Sequence, residues 1–205
     1  MAELGSIEKP SPESFTGKRK LYCVPNMYHP ADVPEEFSNL IRKFWDEVTN
    51  QIERLELAGK IAKIFCENIP LEGEEALAVL EKMNAQAHQI VKKKITEGAS
   101  LVPIEREDLL GPFIDWRNCL TVVRTEEVAN KILEFYKDIA DRRFKFIQHA
   151  IESNLGIGEA GLLIMQDEDR VKLQLPQDIE IFLVTPPSYD DILRWLRDRL
   201  RDLQA

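Results

Sequence analysis

The chain has 205 residues, of which 44% are hydrophobic and 31% are charged, and its formal net charge is −9 at pH 7. This composition is typical of one globular domain that is large enough to bury a core without disulfides or a structural metal. The acidic excess and a pI near 5.0 argue against nucleic acid and against an anionic membrane surface as partners, because both would be repelled at long range.

The N-terminal residues and the cysteines both favour a cytoplasmic protein. Residues 1–19 are rich in Ser, Pro, Glu and Gly, which predicts a flexible tail, and they lack the apolar segment of a secretory signal. Apolar runs elsewhere fall far short of the roughly 20 residues that cross a bilayer. Cys23, Cys66 and Cys119 are widely spaced and odd in number, so we expect free, buried thiols and neither a disulfide framework nor a zinc motif.

From Lys20 onward, short β-branched or aromatic runs alternate with long amphipathic stretches. The predicted strands are, in chain order, 20–24, 61–66, 101–104, 161–165 and 179–184, with a further β element considered at 171–175. The predicted helices run from an N-cap at Asp32 to about Gly59, from Glu74 to Glu97, from a cap at Thr125 to Ser153, and from Ser188 to Leu203. Residues 106–123 stay ambiguous, because Pro112 should interrupt a single helix.

This alternation predicts the fold class. Strands separated by such long helices cannot form hairpins. We therefore expect a single three-layer α/β domain over residues 20–205, with a mixed, mostly parallel sheet and helices on both faces.

Two of the predicted helices have clear apolar faces. The apolar residues of helix 125–153 recur at helical spacing and are Val128, Ile132, Phe135, Ile139, Phe146 and Ala150. Those of the last helix are Ile192, Leu196, Leu200 and Leu203. Arg142 and Arg143 flank the centre of the first face, where an arginine either extends its head to solvent or makes a buried ion pair; both alternatives stay open.

Polar residues follow the predicted strands, and these are the candidate site residues. Ligands of open α/β sheets bind outside the carboxyl ends of the strands. His29 follows the first strand, Glu67 the second, Glu105 the third, and Asp167 and Asp169 the fourth. Such side chains suit either a divalent metal or an acid–base pair. The alternative is a set of ordinary solvated loop residues, since strand ends are usually polar.

A glycine motif in the second half of the chain does not indicate a dinucleotide site. Gly156, Gly158 and Gly161 match G-x-G-x-x-G. That fingerprint needs a strand before it and a helix after it, whereas here a helix precedes and a strand follows. The glycines instead predict a helix C-cap and a tight connection into the strand.

Several short stretches resemble a family of uncharacterised prokaryotic proteins of about this size. They are Leu21-Tyr22-Cys23-Val24-Pro25, Arg142-Arg143-Phe144, Ala160-Gly161-Leu162-Leu163-Ile164-Met165 and Leu175-Pro176-Gln177-Asp178-Ile179. More distantly, the order of elements resembles the TraB, Tiki and ChaN superfamily of proposed metal-dependent hydrolases and binding proteins. That group has Gly-x-x-His after the first strand and again after a late strand. Here His29 lacks the glycine, and the late site reads Gln166-Asp167-Glu168-Asp169.

Two functional hypotheses follow. In the first, a hydrolase-like or metal-binding site lies at the carboxyl edge. Its catalytic residues are Glu67, Glu105, Arg142 and Arg143, and its ligands for a divalent metal ion are His29, Asp167 and Asp169. In the second, the chain is a non-catalytic binding or interaction protein with a degenerate site. A small molecule or a peptide suits either hypothesis, and the oligomeric state stays open.

Lengths along the chain predict one contact at this edge. About 10 residues back from the end of helix 125–153 correspond to roughly 15 Å, close to the length of a five-residue strand. This brings Arg142 and Arg143 level with Met165 at the end of its strand. We therefore expect one of the two arginines to pair with Glu67 or Glu105.

Overall fold

The computed structural model describes residues 17–29 and 33–204, the last two of these without side chains. The first 16 residues of the predicted tail and the predicted N-cap Asp32 lie outside the described residues.

Strands and helices alternate along the described chain, as the sequence pattern predicts. The strands are β1 (Arg19–Pro25), β2 (Ile61–Cys66), β3 (Ser100–Pro103), β4 (Ala160–Met165) and β5 (Ile179–Leu183). The helices are α1 (Glu35–Leu55), α2 (Gly73–Met83), α3 (Ala85–Thr96), α4 (Glu107–Val122), α5 (Glu126–Asn154), α6 (Asp167–Arg170) and α7 (Pro187–Gln204).

The five strands form one sheet in the order β3-β2-β4-β1-β5, and every neighbouring pair is parallel. The predicted α/β fold is confirmed, but the sheet is wholly parallel and not mixed. Each connection crosses back along the sheet before the next strand begins, so each strand starts from the same end. All five carboxyl ends therefore meet at one edge.

Helices cover both faces of the sheet, which confirms the three layers. Tyr22, Ile64 and Leu162 face a core that includes residues of α1, α2, α3 and α7. Their chain neighbours, such as Leu21 and Leu163, face the opposite core with α4 and α5. This alternation follows from the two-residue period of a strand, and it makes the strands apolar on both sides.

Three predicted elements differ from the structure. The helix predicted at 74–97 is two helices, because the backbone of Asn84 leaves the helical region (φ −153°, ψ 88°) and its side chain caps α3 by accepting the N–H of Ala87. Pro112 does not divide residues 106–123 but lies inside α4. A proline there removes one helical N–H donor, and the rest of the helix is kept. Residues 171–175 form turns and coil and not a β element.

The predicted apolar faces of α5 and α7 are partly wrong. Val128 and Phe135 are exposed, and the first buried residue of α5 is Ile139. A helix of 29 residues is about 43 Å long, roughly twice the length of a six-residue strand. The N-terminal end of α5 therefore extends past the sheet. Leu196 and Leu200 of α7 are also exposed.

The cysteines are free, as expected, with Cys23 and Cys66 buried and Cys119 half-buried. None of the helices in the described part of the chain is long and apolar enough to cross a membrane.

Two glycines test how tightly the sheet and its helices pack. A Cβ on Gly161 of β4 would lie 2.9 Å from the Phe65 ring and 3.1 Å from Leu21 Cδ1, whereas a Cβ on Gly111 of α4 would meet nothing within 4 Å. We expect Gly161→Ala to lower the free energy of unfolding by about 1–3 kcal/mol through overpacking. Gly111→Ala should raise it by about 0.5–1 kcal/mol through helix propensity. Urea unfolding of both variants measures these changes, and equal effects would contradict the packing of β4.

Candidate functional site

A buried arginine lies at the carboxyl edge of the sheet and binds two carboxylates. Arg143 of α5 has a relative exposure of 1%. Its Nη2 and Nε donate to Oε1 and Oε2 of Glu105, the latter at 3.0 Å, and its Nη1 donates to Oδ2 of Asp169 at 3.1 Å. Glu105 follows β3 and Asp169 lies in α6 after β4. The predicted ion pair between a helix arginine and a strand-end glutamate is therefore present, in a bidentate form that lysine cannot reproduce.

Aromatic rings and a lysine complete the surroundings of this ion pair. The Arg143 guanidinium carbon lies 4.3 Å from the centre of the Phe113 ring of α4. Lys172 Nζ donates to the second oxygen of Asp169 at 2.8 Å. Burial by itself would lower the pKa of Arg143, but its bonds to Glu105 and the charge of Asp169 outweigh burial and raise it. Arg143 therefore stays a cation, and its role here is to compensate buried carboxylates.

Glu67, the residue after β2, is a third buried carboxyl at this edge, with neutral partners only. Its Oε1 accepts a hydrogen bond from Asn26 Nδ2 at 2.9 Å and one from the Tyr28 hydroxyl at 3.4 Å. Its Oε2 is buried and makes no hydrogen bond within the described residues, although the backbone N–H of Gln166 lies close enough to the carboxyl to lower its pKa. One oxygen of Glu67 is thus available for a proton or for a ligand.

Burial raises the pKa of Glu67 to about 7, and the charge of Asp169 adds to this shift. The backbone N–H of Gln166, the Asn26 amide and the positive charge of Arg143 oppose it. Burial is the main cause, and nearby positive charge does not cancel it, because Arg143 is paired with Glu105 and Asp169 and Lys172 is paired with Asp169. An ionised Glu67 would be a third buried negative charge opposite only two positive charges. Its carboxyl therefore exchanges a proton near neutral pH.

Asparagines connect Glu67 to the rest of the site, and the sequence reasoning missed them. Asn84 Nδ2 donates to Asn26 Oδ1 at 2.9 Å. Asn68 donates its side-chain amide to the Tyr28 hydroxyl at 3.1 Å and its backbone N–H to Glu105 Oε1 at 3.0 Å. Asn68 has a left-handed backbone (φ 62°), which asparagine tolerates better than most residues. The position of Asn68 directly after Glu67 could have indicated its role from the sequence. Nothing in the sequence indicated the contact of Asn84 with Asn26.

A cleft of 270 Å³ opens beside this network at the carboxyl ends of β1 and β4. Its lining residues come from the end of β1, the end of β4 and α7, and are Pro25, Asn26, Met27, Gln166, Asp167, Glu168, Tyr189, Leu193 and Leu196. The chain leaves β1 toward the face covered by α1, and it leaves β4 toward the face covered by α5. Such a divergence of neighbouring strands is where ligands of α/β sheets bind.

The structure brings together four of the seven predicted site residues, namely Glu67, Glu105, Arg143 and Asp169. Contrary to the prediction, Arg142 is not part of this group. Its side chain is exposed, and its Nη1 lies 3.7 Å from Asp138 Oδ2. Adjacent helix positions point about 100° apart, so the side chain of Arg142 points away from that of Arg143. Asp167 is half-buried at the cleft and pairs with Arg170 at 2.7 Å. His29 is exposed and makes no hydrogen bond to the described residues.

The ligand set predicted for a divalent metal does not form a cluster. Among the described residues, no group of three or more His, Cys, Asp or Glu side chains is arranged to hold a metal ion. Both oxygens of Asp169 are occupied by cations, one by Arg143 and one by Lys172. The metal ion stays a prediction of the sequence, and no step proposed for this site depends on one.

Comparison of the chain with models of known protein families, with curated proteins and with solved structures finds no match. The resemblance to the TraB, Tiki and ChaN superfamily therefore stays a prediction.

The buried ion pairs predict a strong coupling between Arg143 and Glu105. Removing one partner leaves an uncompensated buried charge, so Arg143→Met and Glu105→Gln should each lower the free energy of unfolding by about 3–5 kcal/mol. The arginine variant should be the worse of the two, because it leaves Glu105 without a cation and Asp169 with Lys172 as its only cation. The double variant should lose much less than the sum. Urea unfolding of the four proteins measures this cycle.

Two further variants support the interpretation of that cycle. Arg142→Met removes the exposed neighbouring arginine and should change stability by less than about 0.5 kcal/mol. Arg143→Lys keeps the charge and loses the bidentate geometry, so its loss should be intermediate. Additive losses for Arg143 and Glu105 would contradict the coupling.

The raised pKa of Glu67 predicts how stability depends on pH. The folded carboxyl binds its proton more tightly than the unfolded one, whose pKa is 4.5. Its contribution to stability is complete below pH 4.5 and is lost as the pH rises to about 7. Relative to Glu67→Gln, which resembles the protonated form, the wild type should lose about 3 kcal/mol over this range. Urea unfolding at pH 4 to 8 tests this, with the exposed Glu168→Gln as a control that keeps the wild-type profile.

Proposed function

We propose that the cleft at the carboxyl edge binds a small molecule and that Glu67 transfers a proton to or from it in a hydrolase-like reaction. The observation that carries the proposal is the buried Glu67 carboxyl, which has one oxygen without a partner and a pKa near 7. Perturbed carboxyls of this kind are typical of general acids and bases. Asn26 and Gln166 both act on the Glu67 carboxyl and both line the cleft. One layer of residues therefore separates the carboxyl from the cleft.

The lining of the cleft defines the class of ligand. One wall is apolar, with Met27, Tyr189, Leu193 and Leu196, and the polar rim includes Asp167 and Glu168. Burial raises the pKa of Tyr189, and the negative charges of Asp167, Asp190 and Glu168 raise it further against the positive charge of Arg170, so carboxylates outnumber cations around this side chain. An anionic ligand is disfavoured there. A small neutral or cationic molecule with an apolar body fits best, because 270 Å³ lies just below the volume of typical ligand pockets, roughly 300–1,000 Å³.

The proposed chemistry uses only the residues of this chain. Above pH 7 the ionised Glu67 accepts a proton at Oε2 from a water molecule, and the resulting hydroxide attacks the carbonyl carbon of a bound ester. The bond to the leaving oxygen then breaks, and Glu67 returns the proton to that oxygen. Asn26 and Tyr28 hold the carboxyl in place through its other oxygen.

We also propose that the protein is cytoplasmic.

A second candidate is a binding protein without catalysis. The observation in its favour is that Glu67 is only 2% exposed and is not itself a lining residue of the cleft. The same ligand class would bind, and no bond would break.

One experiment separates the two candidates. Met27 lines the cleft, whereas Met83 lies on α2 and is exposed away from it, so methionine-methyl NMR reports binding with an internal reference. With ethyl butyrate as the probe, we expect a saturable shift of Met27, an unchanged Met83, and release of ethanol at a rate that rises with pH through about 7. Butyrate, the anion, should not shift Met27.

The variants decide the role of Glu67. Glu67→Gln should slow ethanol release by at least about 100-fold, because general bases contribute roughly 10²–10⁴ to the rate. The Met27 shift should be kept in this variant. Glu81→Gln, at an exposed position of α2 outside the cleft, should behave as the wild type. A Met27 shift without hydrolysis in the wild type would support the binding protein, and an unchanged Met27 would contradict both candidates.

A further inference from the structure

A chain of hydrogen bonds joins the start of α3 to the buried Glu67 carboxyl. Asn84, which caps α3, donates its side-chain amide protons to the carbonyl oxygen of Met27 at 3.0 Å and to Asn26 Oδ1 at 2.9 Å. Asn26 Nδ2 in turn donates to the Tyr28 hydroxyl at 2.8 Å and to Glu67 Oε1 at 2.9 Å. Both asparagines are buried, so solvent does not compete for these bonds.

Backbone groups at the far end of this chain fix the direction of its bonds. The backbone N–H of Ala87 can only donate, so the oxygen of the Asn84 amide faces it, at 3.1 Å. The carbonyl of Met27 can only accept, which places the Asn84 nitrogen on the other side. The Asn26 amide cannot turn over, because its nitrogen would then face the nitrogen of Asn84 and two donors would meet. Its Nδ2 therefore always points toward Glu67.

Glu67 Oε1 is for this reason an acceptor in both protonation states of the carboxyl. It accepts the fixed Asn26 amide at 2.9 Å and the Tyr28 hydroxyl at 3.4 Å, and a proton on Oε1 would face these donors. Oε2 makes no hydrogen bond within the described residues, so the proton of the acid form lies on Oε2. That proton has no acceptor among the described residues, which makes the acid form less stable than it would be with one.

We propose that Asn84 is a positioning residue for Glu67, although it does not line the cleft. By fixing the Asn26 amide, it keeps Oε1 an acceptor and leaves Oε2 as the atom that takes up and releases the proton. This role rests on the proposed acid–base function of Glu67 and identifies what selects the reacting oxygen.

Titratable groups from four segments face the Glu67 carboxyl, and the Asn84 side chain bonds to none of them within the described residues. The positive charge on α5 lowers the pKa of Glu67, and the negative charge on α6 raises it. The other two groups are kept neutral near pH 7 by burial, which raises their pKa. The four groups are Arg143 of α5, Asp169 of α6, Tyr28 after β1 and Cys66 of β2.

The variant Asn84→Ser tests this role. Serine caps a helix about as well as asparagine, so α3 should keep its circular dichroism signal, but serine has no amide to hold Asn26. When Glu67 is protonated, the released Asn26 amide can turn, so that Oε1 carries the proton and donates it to the amide oxygen. This added bond stabilises the acid form. The pKa of Glu67, measured without ligand from the carbon-13 shift of its carboxyl, should therefore rise by about 0.5–1 unit.

A merely structural role of Asn84 predicts the opposite sign. A loosened site admits water, which lowers the pKa of Glu67 toward its ordinary value of 4.5. An unchanged or lowered pKa would overturn the proposal. The matched control is Asn154→Ser, because Asn154 also bonds through its amide, to the Ala150 carbonyl at 2.8 Å, and it lies at the end of α5. This control should keep the wild-type pKa of Glu67.

The wild type supplies a second test that does not depend on the folding of a variant. Nuclear Overhauser contacts between the side-chain amide protons of Asn26 and the Tyr28 ring should be present at about pH 5 and at about pH 9, because the amide does not turn when Glu67 is protonated. Loss of these contacts at the lower pH would overturn the proposal.

Hydrolysis is measured separately from both tests. If the wild type releases ethanol from ethyl butyrate, the pH dependence of the rate should move upward in Asn84→Ser by the same amount as the pKa of Glu67. A rate profile that stays in place while the pKa rises would overturn the role of Asn84 in the reaction. A raised pKa together with a wild type that releases no ethanol would support the positioning of Glu67 and contradict only the hydrolysis.

Discussion

The interaction on which this structure depends is the binding of Arg143 to Glu105 and Asp169. It joins three parts of the chain that are distant in sequence: the segment after β3, the helix α5 and the short α6 after β4. A buried charge without a partner is strongly destabilising, so these segments are stable only when they assemble together. The face of Phe113 over the guanidinium adds α4 to the same assembly. One side chain therefore contacts both α4 and α5 on this face of the sheet, beside the apolar core that they share.

The chemistry of the carboxyl edge follows from the same interaction. Arg143 and Lys172 compensate Glu105 and Asp169, which leaves Glu67 with neutral partners and a pKa raised to about 7 by burial. Glu105 also accepts the backbone N–H of Asn68, which in turn bonds to Tyr28 and so to Glu67. The ion pair thus acts on the candidate acid–base group in two ways, by the distribution of charge and by a continuous set of hydrogen bonds. In this interpretation Arg143, Glu105 and Asp169 position Glu67 and do not themselves react.

Helix α5 has two halves with different tasks. Its second half, from Ile139 onward, is buried against the sheet and contains Arg143. Its first half extends past the sheet and exposes Val128 and Phe135. One helix therefore contributes the buried cation of the site and also carries an exposed apolar end.

Local patterns in the sequence determined the elements, and tertiary packing decided which side chains meet. The periods of two and 3.6 residues are properties of a short segment, so strands such as Ile61–Cys66 and the strand-end Glu67 and Glu105 could be predicted. The choice between Arg142 and Arg143 could not, because it depends on how α5 is rotated about its axis against the sheet. The pKa of Glu67 depends on tertiary structure as well, since burial raises it and charges on other segments modify it. Burial and charge balance are sums over the whole fold, and no single stretch of sequence contains them.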